Sequence, residues 1–445
     1  MEREIALSPD AVLRGVALGN LAPRGRYGMA GEETVDNSLK PSATGSPSDT
    51  SSAPIAAALT DAALPDVAPA AAALPAERTP EELDQARRYA RVELATTLGD
   101  QALDLLYLGT IAFVVAVPLS RWLEGFVVVD TLRLIVLYMI TLAGHELVSL
   151  PLSFYDGHVI EHRFGFSTLS LAGWLKRHFL SLGLAAALGL LMFVGLFWII
   201  WLSGPWWWLI AAAAFFVVSV LMSQLVPVVV VPLFYKVDRL ELPAFSERLA
   251  RLSAGTGLSI EGVYRLKLSD ETTKANAMLA GLGRTRRVML GDTLLDNFTL
   301  DELEVIFAHE IGHHVHRHIP KMLATGVLYS AAGFYFCDRL LAWWVTANYG
   351  QFDYANLPVS ALPLLMFSLT AFFLLLAPLQ NAISRHHERQ CDRYALVRTG
   401  MREAYRSAFY KLERLNKGDP SPPRWEVTLL HSHPPIAERL ALADE

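Results

Sequence analysis

The chain has 445 residues, of which 53% are hydrophobic and 18% charged, with a formal net charge of −6 at pH 7. A soluble enzyme carries about 25% charged residues, so the deficit points to a membrane protein, and the small negative charge gives no footing for nucleic-acid binding. Two cysteines, Cys337 and Cys391, exclude a disulfide framework.

Residues 1–40 lack the apolar core of a secretory signal, and Ala, Pro, Ser and Thr dominate from there to Pro80. Such a composition cannot offset chain entropy, so residues 1–80 are expected to form a disordered Ala/Pro/Ser-rich tail. Order should begin at Thr79-Pro80-Glu81-Glu82, which has the composition of a helix start. Apolar stretches follow at Leu105–Leu123, Leu134–Leu152, Phe179–Leu202, Trp206–Phe234, Met322–Val345 and Leu357–Leu379. Each is near the ~20 residues that cross a hydrocarbon core. Four fall in residues 81–235 and two in 321–384, and the predicted fold is a mainly α membrane protein, a bundle of about six transmembrane helices with a cytoplasmic α+β domain. Basic residues cluster in alternate loops, at Arg87, Arg88 and Arg91, at Arg163, Lys176 and Arg177, at Lys236 and Arg239, at Arg317 and Lys321, and at Arg385 and Arg389. That asymmetry puts both termini and the polar segment 236–320 in the cytoplasm, and Trp206–Trp208, Trp343 and Trp344 read as interfacial belts. His145-Glu146, inside the second stretch, reads either as chamber lining or as a structural hydrogen-bond pair.

The segment 236–320 has a helix-like run at Leu242–Leu252, strand-like runs at Gly262–Leu268 and Arg287–Leu290, and a turn over Leu279–Arg284 with Gly281 and Gly283. It ends in a helix carrying His309-Glu310-Ile311-Gly312-His313. Histidines four apart share one helix face and can reach a single zinc ion, while Glu310 on the neighbouring face can take a proton from the attacking water. Asp301, Glu302 and Glu304 precede the motif where acidic residues favour a helix N-terminus.

A catalytic zinc needs a third protein ligand. His314, His316 and His318 lie too close along the chain to complete a tetrahedron and read as solvated or interfacial, and Cys391 reads as a small packed residue. Glu388, in the run Ser384–Asp392 after the last apolar stretch, is either the missing ligand or an ordinary surface carboxylate by spacing alone. Asp392, one turn further, could accept the free ring N–H of a ligand histidine. Residues 385–415 read as one long cytoplasmic helix within a C-terminal segment that runs to 445.

From about Arg87 onward the chain resembles the CAAX prenyl endopeptidases, membrane zinc proteases with an HExxH helix. The resemblance is carried by Val159–Phe166, Pro232–Lys236, Asn276-Ala277, Gly291–Leu295, the HExxH helix, Ser384-Arg385 with Glu388 and Asp392, and Ser432–Pro435 with Glu438–Leu440. It implies one Zn2+ per chain held by His309, His313 and Glu388, with catalytic Glu310, Asp392 and His433. It places Asn276, Ala277 and Arg439 with the substrate, Asn276-Ala277 on an edge strand that pairs with peptide backbone. Arg439, read without the resemblance, is an ion-pair partner. The chain departs from the family pattern in lacking a seventh apolar helix and in having Cys391 where a small Ala is typical. The expected partners are a lipid bilayer and a peptide or membrane-protein substrate, lipidated or not, with no nucleic acid. The expected location is the bacterial inner membrane, with the site on the cytoplasmic side. Quality control of damaged membrane proteins is the alternative role, with an inactive scaffold and a transporter as weaker rivals.

Overall fold

The computed structural model describes residues 77–167, 169–281 and 286–445. The tail expected over 1–80 lies almost entirely outside the described residues, as do Leu282, Gly283 and Arg284 of the expected turn. The first helix, α1 (Pro80–Glu124), starts where the sequence places it. Thr79 and Glu82 form a capping box, Thr79 N–H donating to Glu82 Oε2 at 2.9 Å and Glu82 N–H to Thr79 Oγ1 at 3.2 Å. Helix α2 spans Asp130–Arg163. Helix α3 (Leu171–Ser203) and α4 (Trp207–Leu225, prolonged by a π-turn and a last turn to Phe234) pack together across the short turn Gly204–Trp206.

Helix α5 (Pro243–Ser253) and four strands follow: β1 (Val237–Arg239), β2 (Gly262–Leu266), β3 (Ala277–Ala280) and β4 (Arg287–Gly291). The sheet order is β1-β2-β4-β3, with β2 and β4 parallel and the outer pairs antiparallel, so β3 lies at an edge with Ala277 opposite Leu290. Then come α6 (Leu300–Val315), α7 (His318–Tyr349), α8 (Leu362–Thr399), α9 (Arg402–Leu415) and the short helices α10 (Arg424–Leu430) and α11 (Ile436–Ala441).

Among the described residues four helical stretches are long and apolar enough to cross a membrane: Pro80–Glu124, Asp130–Arg163, Leu171–Phe234, which includes both α3 and α4, and Val359–Thr399. The fifth predicted span forms the body of α7 but falls short of that standard, because Asp338 and Arg339 interrupt its apolar run. Leu106, Leu147, Leu191, Leu202 and Leu375 are each 72–78% exposed, a distribution that water would penalise and lipid accepts. Inside the bundle Leu134, Phe197, Leu341 and Leu365 form one buried core. A second core joins Phe245 of α5, Val288 of β4, Leu303 of α6 and Phe409 of α9.

Two local expectations change, and the choice left open at His145-Glu146 narrows to hydrogen bonding. Trp207 and Trp344 are buried rather than interfacial, and Trp207 Nε1 donates to the buried Asp338 carboxylate at 2.8 Å, whereas Trp206 and Trp343 are exposed. His145 and Glu146 are partnered across helices, His145 with Asp104 at 2.7 Å and Glu146 with His178. The run expected as one helix from 385 to 415 is instead the end of α8 and a separate α9. Gly400, at φ 68°, adopts the left-handed conformation that closes a helix and that glycine takes most readily.

Candidate active site

Helix α6 is launched by a second capping box, in which Thr299 N–H donates to Glu302 Oε2 at 2.8 Å and Glu302 N–H to Thr299 Oγ1 at 3.3 Å. Lys411 of α9 pairs with the same fully buried Glu302 at 2.8 Å, which fastens the start of α6. The helix then crosses α8 at Gly312. A Cβ there would stand 3.0 Å from Cys391 Cα, so any larger residue would push the two helices apart by a few tenths of an ångström. That crossing brings the HExxH face against Glu388 and Asp392.

The carboxylate of Glu388 reaches both imidazoles, with Oε2 3.1 Å from His309 Nε2 and Oε1 3.3 Å from His313 Nε2. Oε2 is buried and, despite the short approach, has no hydrogen-bond partner among the described residues. Close contact without a directed bond is what lone pairs aimed at a common third point produce. Burial disfavours charge on His309, but the Glu388 and Asp392 carboxylates outweigh it and lift the pKa to about 10. His313 is raised for the same reason, against its own burial, chiefly by Glu388. A metal ion bound between these groups must displace those protons. Two imidazoles and an unsatisfied buried carboxylate oxygen thus form a donor set suited to a small divalent metal.

Cys391 competes for the third position, since His309, His313 and Cys391 offer ligand atoms within 4.8 Å of one another. Its sulfur, however, lies 3.6 Å from Nδ1 of His318, the same atom that touches His313 Nδ1 at 3.2 Å. The thiol therefore sits by the rear edge of His313, while Glu388 faces both Nε2 atoms. The geometry favours Glu388.

Each imidazole has its own support. His309 Nδ1 donates to Asp392 Oδ1 at 2.9 Å, and Asp392 is clamped by Arg439, whose Nε and guanidinium NH2 donate at 3.0 and 2.8 Å. Arg439, expected beside the substrate, is buried; its guanidinium stacks 4.0 Å from the centre of the Phe409 ring and holds Asp392. Behind His313 stands His318, whose Nε2 donates to Gln390 Oε1 at 2.9 Å and whose Nδ1 is left to accept from His313. His318 was expected on a solvated or interfacial face. It is fully buried and stacks on His387, their ring centres 3.9 Å apart, because the left-handed turn at Arg317 (φ 55°) folds the start of α7 beneath α6. Burial and the surrounding imidazoles lower its pKa to about 4 and keep it neutral. No spacing rule for HExxH motifs points to this residue.

His433 is buried, with Nε2 3.4 Å from Glu388 Oε2 and Nδ1 3.0 Å from Ser432 Oγ. Arg385 anchors the segment that leads to it by donating to the carbonyls of Val427 at 2.8 Å and His431 at 2.6 Å. Glu310 is half-buried on the neighbouring face of α6. Asn276, also half-buried, precedes edge strand β3, and its carbonyl accepts from Gly291 N–H at 2.9 Å. Ala277 is the first residue of that strand.

Residues 240–445 match peptidase family M48, and residues 64–236 match the family described as CAAX prenyl protease N-terminal, five membrane helices. Among the described residues the second region supplies four such helices, α1 to α4. The chain is 28% identical over 388 residues to the uncharacterized metalloprotease YhfN of Bacillus subtilis, covering 86% of this chain and 91% of that one. It is 29% identical over 319 residues to CAAX prenyl protease 1 of Saccharomyces cerevisiae, covering 67% and 69%. Its fold is similar to the crystal structure of S. mikatae Ste24p, with a TM-score of 0.72 at 24% identity over 84% of this chain and 92% of that one.

Proposed function

The chain belongs to peptidase family M48 and is an integral-membrane metalloprotease, and from that premise we propose a zinc endopeptidase in which His309, His313 and Glu388 hold the metal and Glu310 is the general base. The observation that carries this reading is the convergence of two imidazole Nε2 atoms on one buried, hydrogen-bond-deficient carboxylate. Zinc in that position supplies a Lewis acid that polarises water and the scissile carbonyl.

Glu310 accepts the proton of the attacking water and returns it to the departing amine. Asp392, fixed by Arg439, keeps the Nδ1 proton on His309, so that Nε2 presents its lone pair. His433 donates a hydrogen bond to the oxyanion that develops on the substrate carbonyl. Arg439 acts through Asp392 rather than on the substrate. The peptide adds as an extended strand to the open edge of β3, with Asn276 offering both a donor and an acceptor to its backbone.

That a relative is named CAAX prenyl protease 1 supports including lipidated peptides in the proposed substrate class beside unmodified ones. The alternation of basic loops supports a site on the cytoplasmic side of a bacterial inner membrane, with residues 81–235 and 321–384 in the bilayer and 236–320 and 385–445 outside it. The test is Glu310→Gln in the purified protein. Metal content should be unchanged while kcat on a cleaved peptide falls about 10²–10⁴-fold, the span that a general base contributes. Near-normal turnover in that variant would remove Glu310 from the reaction.

A further inference from the structure

The open edge of β3 is entered through residues 272–276, which belong to no helix or strand. Their backbone is tied on one side to the sheet: Gly291 N–H donates to the Asn276 carbonyl at 2.9 Å and Thr293 Oγ1 to the Lys274 carbonyl at 2.7 Å. The Lys274 side chain runs the other way, into the membrane helices. Its Nζ donates to the Tyr89 hydroxyl of α1 at 3.0 Å and lies 3.7 Å from Glu161 Oε2 near the end of α2. It also stands 4.0 Å from the centre of the Phe166 ring, a cation–π contact. Tyr89 in turn donates to Glu161 Oε1 at 3.1 Å, which closes a triangle of Lys274, Tyr89 and Glu161.

Tyr89, Glu161 and Phe166 are 1%, 0% and 1% exposed and the Lys274 side chain is 19% exposed, so the triangle is largely withdrawn from water. Lys417, from the loop after α9, approaches the same Phe166 ring at 4.8 Å and donates to the Phe164 carbonyl. Burial, and after it the Lys417 charge, push the Lys274 ammonium well below its usual range, while Glu161 stays within ion-pair distance. A buried ion pair is a poor source of stability, because desolvation consumes most of the attraction, but it fixes one geometry. Here it fixes the backbone two residues before Asn276.

We propose that Lys274 is a positioning residue for substrate: its pairing with Glu161, Tyr89 and Phe166 pins the entry of edge strand β3 to the membrane helices and holds the docking edge at a set distance from Glu310. The inference rests on the reading that substrate adds to β3. Lys274 pairs with Tyr89 and Glu161 rather than with the groups assigned to the chemistry, so their loss should weaken peptide docking and leave the chemical step intact.

The test is steady-state cleavage of a short fluorogenic peptide by the full-length protein, with metal content and Tm measured on the same samples. Lys274→Met should raise KM at least roughly tenfold while kcat stays within about twofold and metal content is unchanged, and Lys274→Arg should restore most of the loss. If Lys274→Met does not fold, Lys274→Met/Glu161→Gln removes both charges together and takes its place, with the same expected rise in KM. An unchanged KM, or a fall of kcat and metal content together, overturns the proposal. Asn276→Ala, run alongside, separates the two readings. If it raises KM while the Lys274 variants do not, the positioning role fails alone. If Asn276→Ala cleaves normally, docking at β3 fails and this inference fails with it.

Discussion

His309 and His313 leave α6 one turn apart and face the same carboxylate, yet the ground behind them differs. Behind His309 the support is ionic: Asp392 accepts its ring proton and is itself gripped by Arg439, all three buried. Behind His313 the support is neutral, an imidazole and then an amide, His318 and Gln390. Both chains of hydrogen bonds do the same work, since each holds the ring and leaves Nε2 bare. They differ in what remains when a member is removed. On the ionic side a buried charge is stranded, and on the neutral side only a hydrogen bond is lost.

That asymmetry can be broken experimentally. Asp392→Ala should have the largest effect on the fold, because it leaves the Arg439 guanidinium buried without its main partner. The expected loss is about 3–5 kcal/mol of stability. Metal affinity should fall with it, by roughly 10–100-fold, as for other partners of metal-ligating histidines. Chemical denaturation followed by metal titration of the refolded protein reads both. A mild loss at Asp392, comparable with a surface substitution, would mean that the ionic clamp is not buried in the working protein.

His318→Phe sharpens the other half of the comparison. Phenylalanine can keep the stack on His387 but cannot accept from His313 Nδ1. Stability should fall by about 1–3 kcal/mol, the size of the two hydrogen bonds lost to His313 and Gln390, while metal affinity drops toward the lower end of the same range, about tenfold. If His318→Phe instead destabilises as severely as Asp392→Ala, the two supports are not different in kind.

The sequence made one side of this comparison far more legible than the other. Glu388 and Asp392 are acidic residues on one helix face, in a run that matches a known pattern, so spacing and resemblance together pointed to them. His318 carries the same side chain as its neighbours His314 and His316, and what separates it from them is the turn at Arg317 that folds it under α6. A left-handed conformation at an arginine has no local sequence signature. Strands β2 and β4 and the HExxH helix were readable because their periodicity and first-turn residues are local, as Asp301 and Glu302 at the start of α6 illustrate, whereas β3 was implied only by the resemblance and the three-residue β1 is too short to show a period. The break at Gly400 was missed although a glycine stands there, because isolated glycines also occur inside helices. Lys274 and Glu161 are separated by more than a hundred residues, and nothing in either neighbourhood announces the other.

The account depends most on Glu388, and elemental analysis of the purified protein tests it directly. Wild-type protein should hold one zinc ion per chain. Cys391→Ala should retain it, since the thiol lies at the rear edge of His313 and packs on Gly312. Glu388→Ala should lose most of it at the same chelator concentration. Full occupancy in Glu388→Ala together with loss in Cys391→Ala would contradict the account and move the third ligand from the carboxylate to the thiol.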